Sequence, residues 1–230
     1  LSADGQGSGE GALDFAADKA RALALTPVSR ETESRLDRFV ELLLLWQQRQ
    51  NLIGASTIPI LWTRHIADSL QLLALAPNAK IWADFGSGAG FPGLMIACAL
   101  AETPGTHVHL IESNGKKAAF LREATVMTGV AATVHLERAE IFAKAYVDSV
   151  DAVTARAVAP LKTLCDQAFP LIAKGAIGLF PKGQDVASEL TEAAKYWKIS
   201  AEKVPSKTSP GGTIVVLRGL AALKGKTAQN

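Results

Sequence analysis

An α/β fold, built on a mostly parallel seven-stranded sheet and preceded by a helical region, is predicted by three features of the sequence. No strand pattern occurs before residue 79. From there, short β-type runs alternate strictly with helical stretches, the mark of parallel strands joined by crossover helices. The last two strand patterns have no helix between them, so they are expected to pair as an antiparallel hairpin at one edge of the sheet.

The opening LSADGQGSGEGA carries four glycines in twelve residues and no apolar pattern, so residues 1–12 are expected to lack fixed structure. An alanine-rich helix follows over Leu13 to Leu25, and Thr26-Pro27 ends it. Ser29 is the expected N-cap of the next helix, with Glu31 and Glu33 at the positive end of its dipole. Leu36, Phe39, Val40, Leu43 and Leu44 then recur at helical spacing. After Asn51-Leu52-Ile53-Gly54 a single helix is expected over Thr57 to Leu75, ending before Pro77. Residues 13–78 thus form a helical N-terminal extension.

The sheet domain is expected over 79–220. Strands are predicted at 79–85, 106–111, 132–136, 150–154, 176–180, 199–204 and 213–218. Helices are predicted at 91–102, 116–127, 140–145, 161–173 and 185–197. From Lys203 onward the chain carries five basic residues and no acidic ones, and 221–230 reads as a basic tail.

Composition narrows the class. The chain has 230 residues, 48% hydrophobic and 20% charged, a balance that supports a packed core. No apolar run approaches the roughly 18 residues of a membrane span. No basic start is followed by an apolar block, so no secretory signal is expected. Cys98 and Cys165 are the only cysteines, which excludes a disulfide framework and a cysteine-rich zinc module and points to the cytoplasm. A net charge of +2 neither marks nor excludes a nucleic-acid binder.

The most informative segment is Asp84-Phe85-Gly86-Ser87-Gly88-Ala89-Gly90-Phe91-Pro92-Gly93, where the first strand turns into a helix. Glycines there allow a tight turn and let a ligand approach the backbone. No lysine follows them, so a GxxxxGK[ST] phosphate loop is absent. The G-x-G-x-G spacing is one residue tighter than the dinucleotide fingerprint. Asp84 places a negative charge before the loop, which opposes a pyrophosphate and suits a cationic, amino-acid-bearing ligand such as S-adenosylmethionine. Glu112 ends the second strand, where a carboxylate can take both ribose hydroxyls. Arg138-Ala139-Glu140 follows the third strand and is expected to frame an adenine ring. Arg156 ends the fourth strand and Lys182-Gly183 the fifth, at the same carboxyl edge of the sheet.

Absences constrain the reaction. There is no Asn/Asp-Pro-Pro-aromatic tetrapeptide of the kind used on exocyclic amines. Both cysteines fall inside predicted helices and read as core thiols rather than nucleophiles. The four histidines show no metal spacing, and no catalytic metal is expected.

These residues resemble the bacterial small-subunit ribosomal RNA guanine-N7 methyltransferases, also called glucose-inhibited division protein B. The matching text runs from about residue 30 to 218. It includes Trp46…Asn51-Leu52, Arg64-His65-Ile66-Ala67-Asp68-Ser69-Leu70, the loop DFGSGAGFPG, Ile111-Glu112-Ser113-Asn114-Gly115-Lys116-Lys117, Arg138-Ala139-Glu140, Thr154-Ala155-Arg156-Ala157 and Pro181-Lys182-Gly183. The WQQRQNLIG stretch is looser than the family's usual Trp-Asn…Asn-Leu-Thr, and the first dozen residues match nothing.

The resemblance implies a Rossmann-like class I S-adenosylmethionine-dependent methyltransferase fold. It implies S-adenosylmethionine as donor and N7 of a guanine in the 530 loop of 16S rRNA as acceptor. It places Gly86, Gly88 and Phe91 at the cofactor, Glu112 at its ribose, Ala139 and Glu140 at its adenine, and Arg156 at the cofactor–substrate junction as the catalytic residue. Asn51, Arg64, His65 and Lys182 become candidates for RNA contact or for bracing the loop. His65 and Asp68 alternatively form a buried pair joining the two regions. The partner is 16S rRNA in the small ribosomal subunit or its precursor, with no membrane, and the protein is expected to be a monomer. Three other readings stay open: a methyltransferase with another acceptor, a nicotinamide-dependent oxidoreductase, and a non-catalytic RNA-binding assembly factor.

Overall fold

A computed structural model describes residues 7–146 and 149–223, with side chains from Phe15 onward. The helix α1 spans Gly7–Leu25, so residues 7–12, expected to lack structure, are helical; residues 1–6 lie outside the described residues. Helix α2 spans Arg30–Gln47. Ser29 caps it as expected, its side chain accepting from Thr32 N at 3.1 Å, with Glu31 and Glu33 in the first turn.

The expected single helix over 57–75 is instead a broken helical segment. A 3-10 stretch at Ala55–Ile60 leads to a π-helical stretch at Trp62–Ala67, one α-turn α3 at Asp68–Leu70, and a second 3-10 stretch at Gln71–Leu75. Apolar periodicity does not report such changes of pitch, and π stretches gather at functional sites. This one carries Arg64 and His65. Buried Asp18 of α1 holds its start, accepting from Thr63 N at 3.1 Å and from Thr63 Oγ1 at 2.5 Å.

The sheet domain alternates as expected: β1 (Ile81–Phe85), α4 (Gly93–Leu100), β2 (His107–Ile111), α5 (Gly115–Thr128), β3 (Ala132–His135), α6 (Ala139–Ala145), β4 (Ala152–Ala155), α7 (Leu161–Ile172), β5 (Ile177–Lys182), α8 (Val186–Ala193), β6 (Trp197–Pro205) and β7 (Thr213–Ala222). The seven strands lie in the order β3-β2-β1-β4-β5-β7-β6. The first five pair in parallel with their neighbours, and β7 runs antiparallel between β5 and β6. The hairpin is therefore where it was expected, with β6 at the edge. A register shift at Ser200/Ala201 bulges that edge, which discourages further strand addition. Strand β7 ends at Ala222, so the expected tail starts inside the strand; residues 224–230 lie outside the described residues.

Alternate strand residues feed two cores, as the two-residue period of a strand demands. Trp82, Val108, Leu110 and Val216 face α2, α4, α5 and the broken helical segment. Ala83, Phe85, Ile111, Val153 and Val215 face α6, α7 and α8. Burying each large apolar side chain contributes about 1.5–3 kcal/mol. Phe39 of α2 links extension and sheet domain, edge-on to Phe91 at 5.5 Å and to Phe120 at 6.1 Å, and Trp46 joins it on Phe120 at 5.6 Å. The extension thus packs directly on the loop after β1. Strand order reverses between β1 and β4, which opens a crevice above their carboxyl ends, the place where open α/β sheets bind ligands.

Candidate active site

The loop after β1 turns on Gly86, Gly88 and Gly90, all at positive φ (65°, 56° and 89°). Only glycine adopts this conformation at little cost. Ser87 pins the loop by donating its N–H to Ile111 O (3.0 Å) and its hydroxyl to Asp84 O (2.9 Å).

Asp84 plays a different part from the one expected. Its carboxylate is buried beneath the loop and does not line the crevice. Oδ1 accepts from Thr154 Oγ1 at 2.9 Å and Oδ2 from Gly93 N at 3.1 Å. Burial pushes its pKa up to about 6, against these hydrogen bonds. Asp84 ties β1, β4 and the start of α4 together instead of facing a ligand.

Glu112 does face the crevice. Its Oε2 accepts from Gly88 N at 2.9 Å and its Oε1 from Asn114 N at 2.7 Å, so the carboxylate bridges the glycine loop and the N-cap of α5. A carboxylate oxygen has two acceptor sites, so both oxygens can still take a hydroxyl proton.

Arg156, after β4, is the hub. Its Nη1 donates to Asp68 Oδ2 (3.1 Å) and Arg64 O (3.0 Å), and its Nη2 to His65 Nδ1 (2.8 Å). Its guanidinium lies 5.2 Å from the centre of the Phe91 ring, which in turn stacks on His65 at 4.9 Å. His65 and Asp68 are thus joined through Arg156, not to each other as the alternative reading had it. Asp68 Oδ1 accepts from Thr208 Oγ1 at 2.6 Å and from Gln71 Nε2 at 2.9 Å.

Accepting from Arg156 requires His65 Nδ1 to be unprotonated, so Nε2 carries the hydrogen toward Thr57 Oγ1 at 2.8 Å. Burial, with Arg156 and Arg64 nearby, pushes its pKa down from 6.5 to about 3. Between those values the unfolded chain binds a proton that the folded protein does not. The stability this supplies is complete above pH 6.5 and is lost as pH falls toward 3. It amounts to about 2 kcal/mol between pH 6.5 and 5. Asp84 works the other way below pH 6, where the folded protein holds the extra proton. Urea unfolding at pH 7.5 and pH 5 checks this: His65→Gln should lose less stability than the unaltered protein, and equal losses would rule out His65 as the source.

Two cavities meet at Arg156. The larger, about 440 Å³, is lined by Leu52, Ile53, Arg64, His65, Gly86, Ser87, Gly88, Ala89, Phe91, Glu112, Ser113, Lys117, Arg156, Ala157 and Val158. The smaller, about 280 Å³, shares Arg64, Arg156 and Ala157 with it and reaches Lys182, Glu189 and the β6–β7 turn. Ala157 sits at φ 55°, a conformation rare outside glycine, directly between them.

Gly86, Gly88, Phe91, Glu112 and Arg156 therefore converge on one cavity, with Arg64 and His65 on its rim. Ala139 and Glu140 start α6 at the same sheet edge but line neither cavity; Glu140 accepts from Gln167 Nε2 at 3.3 Å. Asn51 is exposed and also lines neither, whereas Leu52 beside it does. Lys182 is in the smaller cavity, bonded to Ala159 O and Glu189. Sequence reading missed Ser113 and Lys117, both just after Glu112, and the pair Ala157-Val158, just after Arg156; proximity to an assigned residue was the available signal. Cys98 and Cys165 are buried, and burial pushes both thiols up to about 12. Among the described residues no group of three or more His, Cys, Asp or Glu is arranged to hold a metal, and no helix is long and apolar enough to cross a membrane.

The strand order with its one reversed strand, the glycine loop after β1 and the acid after β2 define a class I S-adenosylmethionine-dependent methyltransferase fold. An O-methyltransferase from Bacillus cereus, solved in complex with SAH, shares it with a TM-score of 0.57 at 14% identity, covering 90% of this chain and 99% of that one. A methyltransferase from Geobacter sulfurreducens does so with a TM-score of 0.55 at 14% identity, covering 79% and 88%. At such identities the likeness is one of fold. Sequence is more specific. The profile of the family described as rRNA small subunit methyltransferase G matches residues 32–213. The ribosomal RNA small subunit methyltransferase G of Bradyrhizobium sp. (strain BTAi1) is 60% identical over 203 residues, 88% of this chain and 91% of its own length. The chain belongs to the rRNA small subunit methyltransferase G family.

Proposed function

We propose that this protein transfers the methyl group of S-adenosylmethionine to N7 of a guanine in the 530 loop of 16S rRNA, within the small ribosomal subunit or its precursor. The observation that carries the reading is the chemistry of the larger cavity. Its carboxylate, Glu112, holds two backbone amides, and its imidazole, His65, is neutral with both nitrogens engaged. His65 thus has no lone pair left to take a proton, and the remaining acceptor sites of Glu112 are those that face the ribose. Guanine N7 needs no proton removed, because its lone pair is available in the neutral base. Alignment and exclusion of water then supply the rate.

The residues present fit S-adenosylmethionine. The cavity volume of about 440 Å³ is within the roughly 300–1,000 Å³ of small-molecule sites. A Cβ on Gly86 would fill the loop to 2.6 Å from Val158, and the apolar faces of Leu52, Ile53 and Phe91 flank the opening. When bound, the cofactor supplies an electrophilic methyl on a sulfonium. Glu112 accepts from its ribose hydroxyls and fixes its position along the loop. Phe91 and Leu52 shield the crevice from water. Arg156, held at three points, presents a fixed positive charge to the acceptor, at O6 or a phosphate; a bond to N7 itself would occupy the attacking lone pair.

The test is transfer of labelled methyl to small subunits from cells lacking the enzyme, followed by nucleoside analysis. Label in 7-methylguanosine within the 530 loop is expected; label in another nucleoside would overturn the acceptor. Glu112→Ala should weaken S-adenosylmethionine binding by about 10- to 100-fold, the value of a hydrogen bond to a charged group. Calorimetry reads this directly, and an unchanged Kd would remove Glu112 from the cofactor site.

A further inference from the structure

The smaller cavity has its own polar chemistry. Glu189 stands in the first turn of α8; its Oε2 accepts from Leu161 N at 2.6 Å and forms an ion pair with Lys182 Nζ at 2.7 Å. Lys182 is fixed in turn by donating to Ala159 O at 2.8 Å. The hydrogen bond and the ion pair hold the carboxylate at the cavity wall through Oε2. Its Oε1 has no hydrogen-bond partner among the described residues, and the side chain is 26% exposed. An anchored carboxylate with one oxygen open to a cavity is an acceptor waiting for a donor. The volume, about 280 Å³, is below that of the cofactor cavity and suits a single heterocyclic base.

We propose that this cavity receives the acceptor base and that Glu189 is the residue that selects guanine. The assignment rests on the function proposed above and adds the specificity element to it. Guanine presents two adjacent donors, N1–H and N2–H, on one edge, to which Oε1 offers its two acceptor sites, and a carboxylate is acceptor-only. Adenine presents the N1 lone pair on the same edge, which a carboxylate repels. A guanine held by that edge keeps N7 and O6, on its other edge, free of Glu189. Arg156 and Arg64 wall both cavities, so a base seated in the smaller one borders the cofactor cavity. The Lys182 ammonium offsets the charge of Glu189, which would otherwise be costly to hold in a pocket.

Glu189→Gln tests this, because it keeps the shape and replaces an acceptor-only group with one that also donates. The assay is labelled methyl transfer to small subunits carrying either guanine or adenine at the target position. The variant should lose about 10- to 100-fold in kcat/KM on guanine subunits, and the guanine-over-adenine preference should fall with it. Its Kd for S-adenosylmethionine should stay within about twofold of the unaltered protein, since Glu189 does not line that cavity. A variant that keeps both rate and preference overturns the assignment. A measurement on the unaltered protein covers the case of a misfolded variant. Guanosine monophosphate should inhibit transfer about tenfold more strongly than adenosine monophosphate, and equal inhibition overturns the assignment. An unaltered protein that labels no RNA brings down the functional reading itself, a result distinct from labelling with no base preference.

Discussion

Arg156→Ala should lower kcat/KM for methyl transfer by about 100-fold or more, the size of effect seen when a preorganised charge is removed from an active site. Cofactor affinity should change far less, because Glu112 and the glycine loop remain. The same substitution should destabilise the fold by about 3 kcal/mol, since Asp68 is left as a buried charge without its cation. The double variant Arg156→Ala/Asp68→Ala separates the two effects: part of the stability should return and none of the activity. Arg156→Lys should resemble the alanine variant in rate, because one ammonium cannot reproduce a planar fork that reaches Asp68, His65 and Arg64 O together. Full turnover by Arg156→Ala would remove the residue from the mechanism.

Gly93→Ala should be the most damaging change of a single methyl group. The added Cβ would lie 2.6 Å from both Asp84 Cβ and Leu110 Cδ2. These atoms belong to the central strands β1 and β2 and have nowhere to go. The start of α4 must lift from the sheet and lose the Gly93–Asp84 hydrogen bond, at a cost of about 3 kcal/mol. For a chain of this length that is a fall of about 6–12 °C in Tm. Gly86→Ala makes the contrast. Its added methyl meets Val158, whose exposed side chain can yield, leaving about 1–2 kcal/mol of backbone strain at φ 65°. It should melt closer to the unaltered protein and yet bind cofactor worse, because Gly86 lines the cavity. A Gly93→Ala protein with an unchanged Tm would mean that α4 and β1 tolerate more separation than their packing implies.

The fold was legible because its signals are local. Strand–helix alternation, the Ser29 cap and the missing helix before the last strand each sit within a few residues of the element they specify. The glycine loop and Glu112 were legible for the same reason, one turn after adjacent strands. The anchoring of Arg156 was not. Its partners are 88 and 91 residues away, and the pattern of a helix gives no hint that residues 62–67 are underwound into a π stretch that presents His65 and runs directly into Asp68. Asp84 was misjudged because position along the chain suggests an open rim, whereas the turn of the loop carries its carboxylate into the core. Ala139 and Glu140 follow β3, one strand further from the switch point than Glu112, and the crevice as it stands does not extend to them.

The bond between Thr208 and Asp68 spans 140 residues, and Lys207 N reaches Gln71 Oε1 across 136. Asp68 therefore acquires its full set of partners only when the last hairpin has been made and has docked. Chains emerge from the ribosome amino-terminus first, so Arg64, His65, the glycine loop and Arg156 all exist well before the segment that completes their support. A nascent chain halted near residue 200 would carry every residue of the cofactor cavity and still lack the turn that steadies its arginine. Competence thus waits on the β6–β7 turn: a copy that has not yet made it lacks the Thr208 and Lys207 bonds that steady Asp68 and Gln71 beside the arginine.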